Sequence, residues 1–433
     1  MNIVKSKQSL YPYFTVSPAL LDLSERAEES ARQALDAVER TTAYNQQKVL
    51  AAFIENRVSE SHFTATTGYG YGDRGRDTLD AVFAQTMGAE DALVRHSIVS
   101  GTHAITIALF GILRPGDTLL AATGAPYDTL EQVIGIGGAS AGSLREYGIA
   151  YQQVELRADG MPDIAAVTEA LRANPSIKAV HIQRSRGYSL RPSFSVETIG
   201  ELAGAVHAVR PGILVFVDNC YGEFVESREP TEAGADLMAG SLIKNPGGGI
   251  ADNGGYICGR ADLVELCAYR MTTPGLGREV GASLGHNRSL YMGLFHAPHV
   301  VGEALKTAIY ASALFSSLGY EVTPGPLETR ADIIQAVCLR EPEALIAFCQ
   351  GMQMGAPVDA FVQPEPWDMP GYDSQVIMAA GAFTMGASIE LSADAPLREP
   401  YAAYMQGGLN YHSGKIGVLL AAQSMLDKGI LSL

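Results

Sequence analysis

The chain has no excess of positive charge: 31 lysines and arginines stand against 47 aspartates and glutamates, a formal net charge of −16. Phosphate backbones attract basic surfaces, so this balance argues against nucleic acid as a partner. A small anionic ligand needs only a local positive field and stays open. Long apolar runs are also missing. No stretch approaches the roughly 20 residues a membrane-spanning helix needs, so no membrane partner is expected. The opening "MNIVKSKQSLYPYF" has neither the apolar core nor the small-residue cleavage site of an export signal. A cytoplasmic location is the expectation. Cysteine is sparse and unpatterned: Cys220, Cys258, Cys267, Cys338 and Cys349 are odd in number and form no CxxC or Cys/His cluster. A disulfide framework or structural zinc site is therefore not expected. No internal repeat or low-complexity segment interrupts the chain.

What is present is a packed globule of more than one domain: 433 residues, 47% apolar and 18% charged. Residues 17–57 read as one long helix, with Ser17 as cap, Pro18 in the first turn and Leu, Ala and Val at helical spacing. From about residue 90 to 270 short apolar runs alternate with amphipathic segments. "TLLAA" (118–122), "AVHIQ" (179–183), "ILVFVD" (213–218) and "LMAGSLI" (237–243) read as buried strands, and 164–174 and 196–209 as helices. That alternation predicts an α/β domain with a parallel sheet between helices. After residue 285 a long helical stretch leads into strands such as "IIQAVCL" and "SIELSA" and a closing helix, a smaller α+β domain. The boundaries read as a helical arm over 1–60, a large α/β domain over 61–285, and a linking helix with the small domain over 286–433.

Four glycine-containing places invite a phosphate. "GYGYGDRG" (68–75) holds a literal GxGxxG, but no clear strand precedes it, as a dinucleotide site requires. "GIGGASAG" (135–142) lies between helical patterns and reads as a loop. "GGGIADNGG" lacks the GK[ST] ending of a P-loop. The fourth, Ser100-Gly101-Thr102, stands directly before a convincing helix. Such a helix start offers unpaired N–H groups and a favourable dipole to an anion, and an ordinary N-cap is equally open. Asp218 ends the buried run "ILVFVD", and Lys244 ends "LMAGSLIK" 26 residues later. In parallel sheets that strand edge is where ligands bind. Burial disfavours the ammonium form, so a lysine there is expected to be a nucleophilic amine. An anion cradle, an acid and an amine on one edge suit pyridoxal 5'-phosphate.

On these residues the chain resembles the fold-type I pyridoxal-phosphate enzymes, and among them the methionine gamma-lyase-like family, also described as cystathionine beta-lyase family proteins involved in aluminium resistance. The resemblance runs from "GYGYGDRGRDTLD" through "SGTHAI", "RPGDTLLAATGAPYDTL", "VFVDNCYGEF" and "SLIKNPGGGIADNGGYI" to "SIELSADAPLREPYAAYMQGGL". It implies a large domain with a mostly parallel seven-stranded sheet, a smaller C-terminal α+β domain and a carbon–sulfur lyase acting on a sulfur-containing amino acid. Lys244 is then the lysine that bonds the cofactor aldehyde, and Asp218 the partner of the ring nitrogen. Gly101, Thr102 and Ser241 hold the phosphate. Tyr127 stacks on the ring and serves as a general acid. Tyr71 and Arg74 are lent by a neighbouring subunit of a homodimer or homotetramer with shared active sites. Arg398 is a candidate clamp for a substrate carboxylate, with a plain surface arginine equally open. Three departures bear on the substrate: Ile243 where the lyases carry threonine, Thr129 where methionine gamma-lyases carry cysteine, and "QRSRGYSLRP" in place of a Ser-Pro-x-Asn-Pro segment, bringing Arg184 and Arg186 towards the cofactor edge. A transaminase, an aldolase and a catalytically silent protein of the same fold are the alternatives.

Overall fold

A seven-stranded sheet organises the larger part of the computed structural model, which describes residues 11–136, 141–369 and 374–433. Its strands are β1 (Asp91–Arg95), β2 (Thr118–Ala121), β3 (Ala150–Gln153), β4 (Ile177–Gln183), β5 (Leu214–Asp218), β6 (Leu237–Ser241) and β7 (Gly255–Gly259). They lie in the order β1-β7-β6-β5-β4-β2-β3. Neighbours from β6 to β3 pair in parallel, while β7 runs antiparallel to both β6 and β1. Every residue of β2, β5, β6 and β7 is buried. That is what an apolar run such as "LVFV" dictates when both faces of a sheet must be covered.

The chain divides into two compact units, Ala43–Pro298 and Met1–Thr42 with His299–Leu433. The first holds the seven-stranded sheet and, in chain order, helices α3 (Arg74–Thr86), α4 (Gly101–Ile112), α5 (Asp128–Ile134), α6 (Ile164–Ala173), α7 (Val196–Val209) and α8 (Ala261–Met271). Leu93, Ile105, Leu109, Leu119, Phe216 and Val264 belong to one buried cluster there. Arg95 donates through both terminal nitrogens to Asp80, at 2.6 and 2.9 Å, with both side chains buried. Removing one partner from such a pair strands a buried charge, at a cost of about 3–5 kcal/mol.

The second unit has a five-stranded antiparallel sheet of β8 (Glu321–Thr323), β9 (Gln335–Cys338), β10 (Val376–Ala379), β11 (Ser392–Pro396) and β12 (Ala402–Gln406), in the order β10-β11-β12-β9-β8. Helices α10 (Pro342–Met354) and α11 (Tyr411–Asp427) close its core with Phe315, Val337, Ala403 and Met405. The unit boundary falls inside helices α2 (Arg32–Glu55) and α9 (Asn287–Ser317). The predicted α/β class with a smaller α+β part is the architecture found.

Local departures from expectation have physical reasons. The N-terminal helix is two, α1 (Pro18–Ser30) and α2, meeting at Ala31. There the Ala31 N–H is shared between the carbonyls of Ala27 and Glu28, at 3.3 and 3.2 Å. The strand expected at "SIELSA" begins only at Ser392; just before it the Glu390 carboxylate accepts the N–H groups of Phe383 and Thr384, at 2.8 and 2.9 Å. Residues 137–140 of the "GIGGASAG" segment lie outside the described residues. Among the described residues no helix is long and apolar enough to cross a membrane.

Candidate functional site

Three neighbouring strands deliver polar residues to one edge of the large sheet: β4 ends at Gln183, β5 at Asp218 and β6 at Ser241. Register sets Gln183 beside Asp218 and Asp218 beside Ala239, two residues before Ser241. Helix α4 starts at the same place. A methyl group on Gly101 would lie 3.2 Å from Cys220 Sγ and 3.4 Å from Ser241 Cβ, so glycine brings the first turn of the helix against the ends of β5 and β6. The Ser100 hydroxyl caps α4 by accepting the His103 N–H at 3.1 Å. The N–H groups of Gly101 and Thr102 have no acceptor inside the helix. With the buried Ser241 hydroxyl they form a cradle for an anion.

Asp218 is 5% exposed, and its Oδ1 accepts the Cys220 N–H at 3.1 Å. Burial pushes its pKa up, opposed by the charge of Lys244 and by the N–H and S–H of Cys220. Lys244 follows β6 and is half-buried, its Nζ lying 4.1 Å from the centre of the Tyr221 ring. The neutral amine expected there is not what the surroundings favour. Burial works against the ammonium, while the Asp218 carboxyl works for it and raises the amine pKa. Burial raises the pKa of the Cys220 thiol and of the Tyr127 phenol, which keeps both neutral at neutral pH.

Tyr127 holds the N-cap position of α5, and its side chain reaches the start of α4. Its hydroxyl shares a 2.9 Å hydrogen bond with the Thr102 hydroxyl, which also lies 3.2 Å from that of Thr129. Its N–H donates to Gln183 Oε1 at 3.0 Å. Burial and the Asp218 charge raise its pKa, so Tyr127 is a proton donor at neutral pH rather than a base. His103 accepts the Val99 N–H through Nδ1 at 3.2 Å, and burial lowers its pKa, leaving a neutral packing residue. Asn253 donates to the His96 carbonyl at 2.9 Å and so shapes the loop after Lys244.

Arg184 follows Gln183 at this edge, and its N–H donates to the Asp218 carbonyl at 3.1 Å. It is fully buried and bonds Asn219 Oδ1 at 2.8 Å and Glu226 Oε1 at 2.7 Å, with Glu229 at 3.6 Å. Arg186 is buried too, 3.4 Å from the Ser193 hydroxyl. Tyr71 and Arg74 sit on an exposed arm, where Tyr71 lies against Tyr69 with ring centres 5.6 Å apart. Gly70 on this arm has φ +64°, and a Cβ there would come 2.6 Å from the Ala282 backbone. Arg398 lies in the other unit, exposed in the turn between β11 and β12. Three residues at the pocket escaped the sequence reading: Gln183, Cys220 and Tyr221. Gln183 had a signal, since it ends a buried strand as Asp218 does; the other two had none that identity carries.

The donor set is the one pyridoxal phosphate requires: an anion cradle, a carboxylate for a cationic ring nitrogen, an amine for an aldehyde, and a phenol. Protein YnbB of Bacillus subtilis strain 168 is 51% identical over 395 residues, 91% of this chain and 93% of that protein. The crystal structure of a carbon–sulfur lyase involved in aluminum resistance from Clostridium novyi NT is 50% identical, with a TM-score of 0.93 over 98% of this chain and 99% of that one. The pyridoxal-5'-phosphate dependent protein YhfS from Escherichia coli is 17% identical with a TM-score of 0.61, over 90% of this chain and 97% of that one, and so shares the fold. Residues 20–426 match the methionine gamma-lyase family, and the chain belongs to it.

Proposed function

We propose that this chain is a pyridoxal-phosphate-dependent carbon–sulfur lyase acting on a sulfur-containing amino acid. The observation that carries the reading is the convergence of Asp218, Lys244 and the start of α4 on one sheet edge. When bound, pyridoxal phosphate supplies an electron sink for charge developing at the substrate Cα. Gly101, Thr102 and Ser241 hold its phosphate, and Asp218 stands as counter-ion to its ring nitrogen. With Asp218 engaged by that second cation, Lys244 would be held less strongly as an ammonium; its neutral amine would be placed to hold the cofactor by its aldehyde and, once displaced by the substrate amine, to take the proton from Cα. Tyr127, a neutral phenol, donates a proton to the departing sulfur.

The exposed arm extends the proposal to a homodimer or homotetramer in which Tyr71 and Arg74 serve the phosphate of a neighbouring subunit. The experiment for the reaction is incubation of the cofactor-loaded chain with L-cystathionine and L-methionine, followed by assay of keto acid, ammonia and thiol. Pyruvate marks elimination at Cβ, and 2-oxobutyrate from methionine marks elimination at Cγ. Loaded protein that releases none of them from any sulfur amino acid contradicts the lyase reading and leaves a transaminase, an aldolase or a silent protein.

A further inference from the structure

Immediately after Asp218 the chain makes two turns in succession, and each carries an aromatic residue where glycine belongs. The Gly222 N–H bonds the Asn219 carbonyl at 2.9 Å, and the Val225 N–H bonds the Gly222 carbonyl at 3.2 Å. The third residues of these turns are Tyr221, with φ +72°, and Phe224, with φ +62°. Turns that need a positive φ at this position use glycine or asparagine, because a side chain crowds its own backbone there. Strain of this kind persists only where the surroundings over-determine it, and it gathers at functional sites.

The surroundings here are a buried polar network with no other evident purpose. Arg184 fixes the Asn219 side chain, whose Nδ2 donates to Glu229 Oε2 at 3.1 Å. The other Glu229 oxygen accepts the Phe224 N–H at 2.9 Å. Asn245 donates to the Glu223 carbonyl at 2.9 Å, and Asn45 to the Phe224 carbonyl at 3.0 Å. Phe224 turns into the core, 2% exposed, whereas Tyr221 stays half-exposed with its ring face 4.1 Å from Lys244 Nζ. Filling space does not call for a left-handed tyrosine. Holding a cation does, since the negative face of an aromatic ring attracts an ammonium most where water is scarce.

We propose that Tyr221 is the positioning residue for the Lys244 amine: the strained turn lays its ring against the ammonium that Lys244 becomes on accepting a proton. This rests on the functional reading above for its purpose, though not for its geometry. The other ionisable groups around this amine are Asp218, Cys220, Tyr127 and, more deeply buried, Glu223. None of them is altered by substitution at Tyr221.

The test uses the full-length chain without added cofactor. Acetic anhydride labels its amines across a range of pH, and digestion with mass spectrometry follows Lys244 alone. Labelling rises with pH and levels off once the amine is neutral. Tyr221→Leu is expected to lower the levelling-off point by about one unit, the size of a partly desolvated cation–π contact. Tyr221→Phe, which keeps the face, leaves it in place. If the leucine chain does not fold, Tyr221→Gly, the residue this backbone favours, takes its place. A profile that is merely scaled would reflect access alone and overturn the proposal, as would one unchanged in the leucine variant or shifted as far by phenylalanine. A chain that never takes up pyridoxal phosphate refutes the functional reading and leaves this profile readable.

Discussion

Glu223 carries its carboxyl into the protein with no solvent contact. One oxygen accepts the Tyr256 hydroxyl at 2.7 Å, and the other has no partner among the described residues. Burial, relieved only in part by Tyr256, pushes its pKa up to about 8. A carboxyl whose folded pKa is raised binds its proton more tightly in the folded chain. Stability therefore falls as pH rises from the ordinary carboxylate range to about 8, and is level beyond it. Glu223→Gln, neutral at every pH and able to keep the contact with Tyr256, should flatten that slope. Urea midpoints at pH 5 and pH 8 are the measurement: the wild type should lose stability between them relative to the variant, and parallel changes would mean that Glu223 does not titrate in this window. At this scale the sequence was legible wherever a charged residue ends an apolar run, as Asp218 and Lys244 do. It was silent on Tyr221, because the left-handed backbone there sits within a network of Asn219, Glu229 and Arg184, which come together from up to 37 positions away only once the chain is folded.

At the scale of elements, the arm before α3 shows how a glycine-rich stretch can be rigid. Asp73 caps α3 by accepting the Arg76 N–H at 2.9 Å, and it also accepts from the Thr66 hydroxyl, the Ser283 N–H and Asn287 Nδ2. Arg76 in turn bonds the carbonyls of Gly70 and Gly281, each at 3.0 Å. Burial alone would raise the Asp73 pKa, but the donors of Ser283, Thr66, Arg76 and Asn287 outweigh it and bring it down to about 2. A depressed carboxyl stabilises the fold fully above its unfolded pKa near 4, and the benefit fades as pH falls towards 2. Asp73→Asn should cost about 2 kcal/mol at neutral pH, and the gap to wild type should close on acidification, as followed by chemical denaturation between pH 7 and pH 3. A gap independent of pH would contradict the assignment. Helix existence was readable from periodicity, and α6 and α7 fall where it placed them. The break at Ala31 and the late start of β11 were not, since local hydrogen bonding that periodicity does not report accompanies both.

At the scale of the molecule, alternating apolar runs and amphipathic helices were enough to predict a mostly parallel sheet with its ligand edge at the strand ends. The strands β1, β3 and β7 escaped notice because "DALVR", "AYQQ" and "GYICG" are short, the second is half polar and the third is bounded by glycine. Tyr69 and Tyr71 are 72% and 61% exposed on this arm, and in the proposed shared-site assembly a second copy covers them. Light scattering should therefore give at least twice the 45.9 kDa chain mass, and Tyr71→Ala with Arg74→Ala should weaken cofactor retention. A wild-type monomer that keeps its cofactor would contradict a shared site. The central claim is that Lys244 bonds the cofactor, and its most direct measurement is borohydride reduction of the chain loaded with pyridoxal phosphate, followed by digestion and mapping of the phosphopyridoxyl group. The label is expected on the peptide carrying Lys244, and is expected to be lost in Lys244→Ala. Label spread over surface lysines, or undiminished in that variant, would contradict it.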